Sequence, residues 1–266
     1  MTLLVAKMLA PRLEALGAKV MLVRATTAPT TNKRPRDFKN LANIDLLSMG
    51  VTDPIRTYLP GAPPEVRRKT LQWHGERYFY RLSEIRSRAD LVNKRLKPDV
   101  ALCLHFNAEA WGDPTKPEFV PRNHLHLLIN GAYSISELGY QDERYEMLMR
   151  LLQRMHDEES ALSEVMAEQM ARQTQLPAYQ YDTNNVMRPL KNPYIYARNL
   201  LANRLFECPV IYFEPYVMNC EEVYERVQAG LYQGKRLVHG QERPSIYHEY
   251  VEGVVNGLVL YYGRKS

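Results

Sequence analysis

The sequence predicts an α/β fold of three layers, with helices on both faces of a mostly parallel sheet. Two apolar runs that each end in an ionisable residue carry this prediction, together with the helical periodicity between them. The first run, Asp99 Val100 Ala101 Leu102 Cys103 Leu104 His105, is hydrophobic almost without interruption, the pattern of a strand buried on both faces. His105 then stands at the carboxyl end of that strand, where open α/β sheets place their sites. The second run, Pro209 Val210 Ile211 Tyr212 Phe213 Glu214, repeats the pattern with a carboxylate in the closing position. Strands alternating with helices in this way build layered domains around one core.

The elements follow in chain order. Val5, Met8, Leu9, Arg12, Leu13 and Leu16 keep a helical period that Gly17 stops. Pro11 lies inside it and predicts a kink or an early end, at a cost of about 3 kcal/mol unless packing compensates. Residues 26–80 read as a long insertion rich in Thr, Pro and charge, with Pro29, Pro35, Pro54, Pro60, Pro63 and Pro64 along it. It turns helical from Pro64 and serves as a lid, a ligand contact or a plain elaboration, since loops this long inside a domain are functional or disordered. Leu82, Ile85, Ala89, Val92 and Leu96 then predict an amphipathic helix whose exposed side carries Arg81, Glu84, Arg88 and Arg95.

After the histidine strand, Asn123–Asn130 reads as a strand with His124 and His126 on one face and Leu125 and Leu127 on the other. Two such histidines can hold a metal but more often face solvent. Residues 143–173 predict a helix with Leu148, Leu151, Leu152, Met155, Leu162 and Met166 among its core-facing side chains. Residues 177–193 predict a loop, and 194–205 a helix whose Arg198 and Arg204 face either an anionic substrate group or surface carboxylates.

Each of the two closing residues also has a bland reading. A histidine after a buried strand is more often a satisfied structural residue than a ligand. A carboxylate there is costly unless something cationic receives it. Glu214 therefore caps a helix, pairs with one of the 35 Lys and Arg residues, or shares a mouth with His105.

Composition bounds the class. At 266 residues and 45% hydrophobic content the chain can bury one core as a single domain. Cys103, Cys208 and Cys220 have no CxxC spacing and support neither a disulfide framework nor a cysteine zinc site. The net charge of +5 is not gathered into a stripe; basic runs such as Lys33 Arg34 Pro35 Arg36 and Arg67 Arg68 Lys69 read as solvated faces, and nucleic-acid binding is not expected. No stretch has the roughly 20 apolar residues of a membrane span, and the start of the chain is not a signal peptide.

Four stretches in this order resemble the zinc-dependent N-acetylmuramoyl-L-alanine amidases, and with them an amidase/phosphorylase-like fold. They are the opening helix and strand ending LEALGAKVMLVR, the arginine-bearing IRSRADLVN, the histidine strand DVALCLHFNA, and CPVIYFEPYVMN followed by EEVYERV and the helix SIYHEYVEGVVNGLVLYY. The resemblance covers roughly half of the chain. It implies zinc as cofactor, His105 as a zinc ligand, Glu214 as the catalytic base, and Asn107 behind the ligand, fixing geometry, although Asn107 reads equally as a residue turning the chain out of a strand. It also implies a peptidoglycan or muropeptide partner and a periplasmic or extracellular location.

The family's other two zinc ligands, a histidine and a glutamate, lie before and at the start of the first helix. In this chain that helix begins at Met1, so both ligands and the first strand are expected upstream, as in a fragment or a gene started at an internal methionine. Hydrolysis of the amide between the muramic acid lactyl group and L-alanine is the expected activity. The alternatives are an inactive relative that binds wall fragments or regulates a partner, and a zinc amidohydrolase acting on N-acylated amino acids.

Overall fold

Both apolar runs form strands, and they lie side by side. The computed structural model describes residues 1–113, 116–182 and 186–263. Helix α1 (Thr2–Glu14), helix α2 (Lys39–Ser48), the single turn α3 (Pro64–Arg67) and helix α4 (Leu71–Tyr78) lead into a wide π-type turn over Phe79–Glu84, helix α5 (Ile85–Asp90) and a second wide turn over Leu91–Leu96. Strands β1 (Ala101–Leu104) and β2 (Leu125–Ile129) follow, then helices α6 (Gln141–Leu152) and α7 (Met155–Thr174) and strand β3 (Ile195–Ala197). The chain closes with helix α8 (Leu201–Leu205), strand β4 (Val210–Pro215), helix α9 (Glu221–Gln228), the hairpin β5 (Lys235–Val238) and β6 (Gln241–Pro244), and helix α10 (Ile246–Gly263).

The main sheet has the order β1-β4-β2-β3. The outer pairs β1–β4 and β2–β3 are parallel and the central pair β4–β2 is antiparallel, so the sheet is mostly parallel. Alternation along the strands sorts side chains to two faces. Leu125, Leu127, Ile129, Ile211 and Phe213 pack with α1, α7 and α10 in the larger core, through Val5, Leu9, Met166, Met170 and Val254. Val210, Cys103 and Tyr212 face the other way, toward Ala89, Val92 and Phe206. The three-layer α/β arrangement is therefore present. No helix among the described residues is long and apolar enough to cross a membrane, and all three cysteines are free.

Several expectations are corrected. Strand β1 is half-buried rather than covered on both faces, because it is an edge strand. Helix α1 runs through Pro11 to Glu14, with Val5, Leu9 and Leu13 buried; packing offsets the lost hydrogen bond. No strand forms over residues 18–24. The insertion is not loop-like before Pro64, since it contains α2, which buries Ala42 and Leu46. The periodic stretch 143–173 is two helices broken at Arg154, which has φ +52°, and Leu148, Leu151 and Leu152 are exposed while Met155, Leu162 and Met166 are buried. The helix expected over 194–205 is β3 followed by α8, because the aromatic and β-branched Ile195 and Tyr196 complete the sheet edge beside β2.

The amphipathic reading of the next helix holds for Ala89 and Val92, which are buried, and the wide turn at Phe79–Glu84 displaces only its first part. Each extra residue in such a turn rotates the helical face by about one residue position, roughly 100°. Leu82 is accordingly 45% exposed and Glu84 only 1%, the reverse of the pattern at these two positions.

Gly75 is the tightest point of the insertion. A Cβ there would lie 2.8 Å from the carbonyl oxygen of Pro35, a backbone atom that cannot swing aside. Gly75→Ala is expected to destabilise the protein by about 1–2 kcal/mol despite the gain in helix propensity, since overpacking costs more than that gain. Urea unfolding of the two proteins measures the difference; equal midpoints would show that α4 has room to shift.

Candidate functional site

The strand register brings the two predicted residues together and adds a third. Leu104 pairs with Phe213 across β1 and β4, and the His105 N–H donates to the Phe213 carbonyl at 3.0 Å, so His105 stands level with Glu214. On the other edge of β4, His126 is the register partner of Glu214. Residues opposite one another share a face. His105, Glu214 and His126 therefore form one row across three strands, on the face toward α5.

His105 is half-buried. Its ring stacks on Tyr212 with centroids 4.6 Å apart, and its carbonyl accepts the Tyr250 hydroxyl at 3.1 Å. Burial, then the charge of Arg88, pulls its pKa down to about 4. Arg88 is itself held by Glu84, at 2.9 and 2.7 Å through two of its nitrogens. His126 is 2% exposed, and burial, followed by His124 and Arg198, lowers its pKa to about 3. Both rings are neutral at physiological pH.

Glu214 moves the other way. Burial raises its carboxyl to about 7, with only the charge of Arg198 opposing. Of its three readings, the structure places Glu214 level with His105: no salt bridge compensates the carboxylate among the described residues, and β4 runs on through Pro215. Arg198 follows β3, its N–H donating to the Ile129 carbonyl at 3.0 Å, and alternation sets it on the same face as Tyr196. Arg204, the other arginine considered, is committed elsewhere, with Glu146 at 2.5 Å and Glu143 at 3.3 Å.

Two tyrosines from the 177–182 segment complete the mouth. Tyr181 Oη lies 2.9 Å from His126 Nε2, and Tyr179 packs its ring against His124 and His126 at 4.2 and 5.0 Å. Among the described residues the Nδ1 of His126 is buried without a partner. A buried N–H without an acceptor is rarer and costlier than a spare lone pair. The proton therefore belongs on Nε2, which donates to Tyr181 and leaves the Tyr181 hydroxyl hydrogen free to donate into the mouth. His124 follows the same logic, since its Nε2 faces Glu109 Oε1 at 3.1 Å and its Nδ1 is the orphan. Neither histidine faces solvent.

Asn107 uses its side chain locally. Its Oδ1 accepts the Ala108 N–H at 2.8 Å, and its backbone joins the segment after β4 through the Tyr216 carbonyl and the Met218 N–H. The residues that sequence reasoning missed are Tyr181, Tyr179 and Tyr212, and the pairing of His126 with Glu214. Only the i, i+2 spacing of His124 and His126 hinted at them.

Catalytic zinc takes three protein ligands and leaves one position for water. Among the described residues no group of three or more His, Cys, Asp or Glu side chains is placed to hold a metal ion. His105 is a neutral imidazole of the ligating kind, but the residues described do not make up a zinc site around it.

No family model matches the chain, and no curated protein matches it. Among solved structures, it is similar to the N-acetylmuramyl-L-alanine amidase Ami1 from Mycobacterium smegmatis, with TM-score 0.41 and 13% identity over 68% of this chain and 61% of that one. It is also similar to the apo form of Ami1 from Mycobacterium abscessus, with TM-score 0.38 and 14% identity over 79% of this chain and 83% of that one. The chain thus spans 61% of the length of the Mycobacterium smegmatis protein.

Two outcomes are expected from this geometry. A carboxyl whose folded pKa of about 7 exceeds its unfolded value holds a proton that the unfolded chain has released, so stability is lost as pH rises from about 4.5 through 7. Glu214→Gln removes that loss and should make the protein more stable than the parent at pH 8, by up to about 3 kcal/mol, with the gap closing toward pH 5. Urea unfolding across this range checks it, and a gap that does not vary with pH would refute the raised pKa. Metal analysis of the purified chain should find well below one zinc per molecule. A full equivalent that is lost in His105→Ala would show a zinc site that the described residues do not make up.

Proposed function

We propose that this protein hydrolyses an amide, and that its substrate is the amide between the lactyl group of muramic acid and L-alanine in peptidoglycan stem peptides. The single observation that supports this reading best is the row of His105, Glu214 and His126, with the central carboxyl poised near neutral pH. Amide hydrolysis needs a proton removed from the attacking water and a proton delivered to the leaving amine. A carboxyl with pKa near 7 performs both transfers with little penalty either way, which is the condition for efficient general acid–base catalysis.

The surrounding groups suit the same task. The Tyr181 hydroxyl hydrogen, freed by the His126 tautomer, is a donor for the oxygen that gains charge as the carbonyl is attacked. Arg198 is the cation that acts on Glu214, and it suits the carboxylate of a stem peptide. His105, stacked on Tyr212, forms the opposite wall. The muramoyl substrate, the wall location and zinc come from the sequence resemblance. Of the residues described, His105 is the one the resemblance would assign to zinc, and no step here depends on the metal.

The assay is release of primary amine from N-acetylmuramoyl-L-alanyl-D-isoglutamine, with and without added zinc. Glu214→Gln should lower kcat by about 10²- to 10⁴-fold with little change in KM. Tyr181→Phe should lower kcat by about tenfold or more, the scale of losing one oxyanion donor or less. Muropeptide binding without amine release by the unaltered chain would instead favour a protein that binds wall fragments. Hydrolysis confined to simple N-acyl amino acids would favour a different amidohydrolase.

A further inference from the structure

The insertion and the wide turn after it carry a cavity of about 530 Å³, lined by Met49, Arg68, Trp73, His74, Arg77 and Arg81. Three of its six lining residues are arginines and none is acidic. Arg68, Arg77 and Arg81 take part in no salt bridge among the described residues. Three guanidinium groups around one opening repel one another unless an anion joins them, and their planar forks match phosphate or carboxylate oxygens.

The floor of this cavity is built rather than incidental. His74 is 1% exposed and ties two elements together: its Nδ1 meets Asp45 Oδ2 of α2 at 2.7 Å, and its Nε2 meets the Arg68 carbonyl at 2.8 Å. Thr70 caps α4 by accepting the Trp73 N–H at 3.2 Å. Trp73, Arg77 and Arg81 follow at i, i+4 and i+8, which stacks them along one side of α4 and the wide turn after it. Arg77 lies over the Trp73 ring, 5.6 Å from its centroid, so an aromatic surface orients one of the three cations. Beside the charges, Trp73 and the exposed Met49 supply an apolar wall.

We propose that this cavity binds an acidic saccharide, with its phosphate or carboxylate on Arg68, Arg77 and Arg81 and an apolar sugar face against Trp73 and Met49. A bare inorganic anion would leave that wall unused. A nucleic acid would call for further exposed stacking rings along the groove, and the other ring in this lining, His74, is buried and engaged at both nitrogens. The site does not depend on turnover at Glu214, so it stands or falls separately from the proposed hydrolysis.

The test uses the full chain with Trp111→Phe, which leaves Trp73 as the single tryptophan. Glucose 6-phosphate and an oligogalacturonate, the phosphorylated and carboxylated forms of the ligand, are titrated by Trp73 emission and by calorimetry. Saturable binding of either is expected, weakened at least about tenfold in Arg77→Gln/Arg81→Gln, the loss of one or two charge-assisted contacts. Both arginines are exposed, so thermal unfolding of that variant should match the parent. Which sugar binds more tightly identifies the anionic group. Four results would overturn the proposal: no heat and no emission change with either sugar, equal binding by the double variant, inorganic phosphate binding as tightly as the sugars, or oligothymidylate binding more tightly than both.

Discussion

Pairing of β4 with β1 on one edge and β2 on the other fixes which side chains can meet at the mouth of the sheet. Each ladder sets a register, and a slip of one residue in either would send a whole strand's side chains to the opposite face. With both ladders in place Glu214 must lie between two imidazoles, away from bulk water on both sides. Its raised pKa follows from that confinement and not from a neighbouring acid. The two imidazoles answer the same loss of water in the opposite sense, since for them the charged form is the protonated one. One desolvated row thus holds three groups in their neutral forms below neutral pH, and Glu214 alone changes charge as pH crosses 7.

The position of β4 is itself held by a buried ion pair. Glu159 on α7 accepts from Arg150 and, through the same Oε1, from the backbone N–H of Val210 at 2.8 Å, the first residue of β4. Arg150 in turn donates to the Phe206 carbonyl at 2.7 Å, just before the strand. Buried pairs return little net stability, because desolvating two charges offsets their attraction. What this one contributes is placement, as α7 and the entry to β4 are pinned to each other at the edge of the larger core. At the far end of the strand Tyr216, with φ +58°, turns its ring into that core, where its hydroxyl donates to Glu249 at 2.9 Å.

The strands bearing His105 and Glu214 were legible because each is a local apolar run with an abrupt polar end. The resulting mouth was legible as well, since both ends are carboxyl ends of parallel strands. His126 was visible as a residue but not as a partner of Glu214. Its role depends on an antiparallel pairing between segments nearly ninety residues apart, and nothing local records a register. The misplaced Leu82 and Glu84 at the start of the 82–96 helix have a different cause. A wide turn leaves composition and periodicity intact and shifts only the phase, so Glu84 comes inward to bind Thr30 and Arg88 where the pattern put it in solvent. Residues 195–197 failed for a third reason: a three-residue strand is too short to show a period, and pairing with β2 overrides any local preference.

The same distinction separates the arginines. A chain with 35 Lys and Arg offers no guide from sequence to which of them bind something. Partners supply it. Arg150, Arg204 and Arg226 are buried and matched to carboxylates, so their charge is consumed in holding helices and strands. Arg88 is half-committed, balanced by Glu84 while it still acts on His105. Arg198 at the mouth and the three arginines of the insertion are left without carboxylate partners, and these two places are where an anionic ligand gains most. Many other cations lack a carboxylate partner as well, but they stand singly on solvated faces; a fixed positive charge keeps its attraction for an external anion most where several are gathered around one opening or stand beside a buried carboxyl.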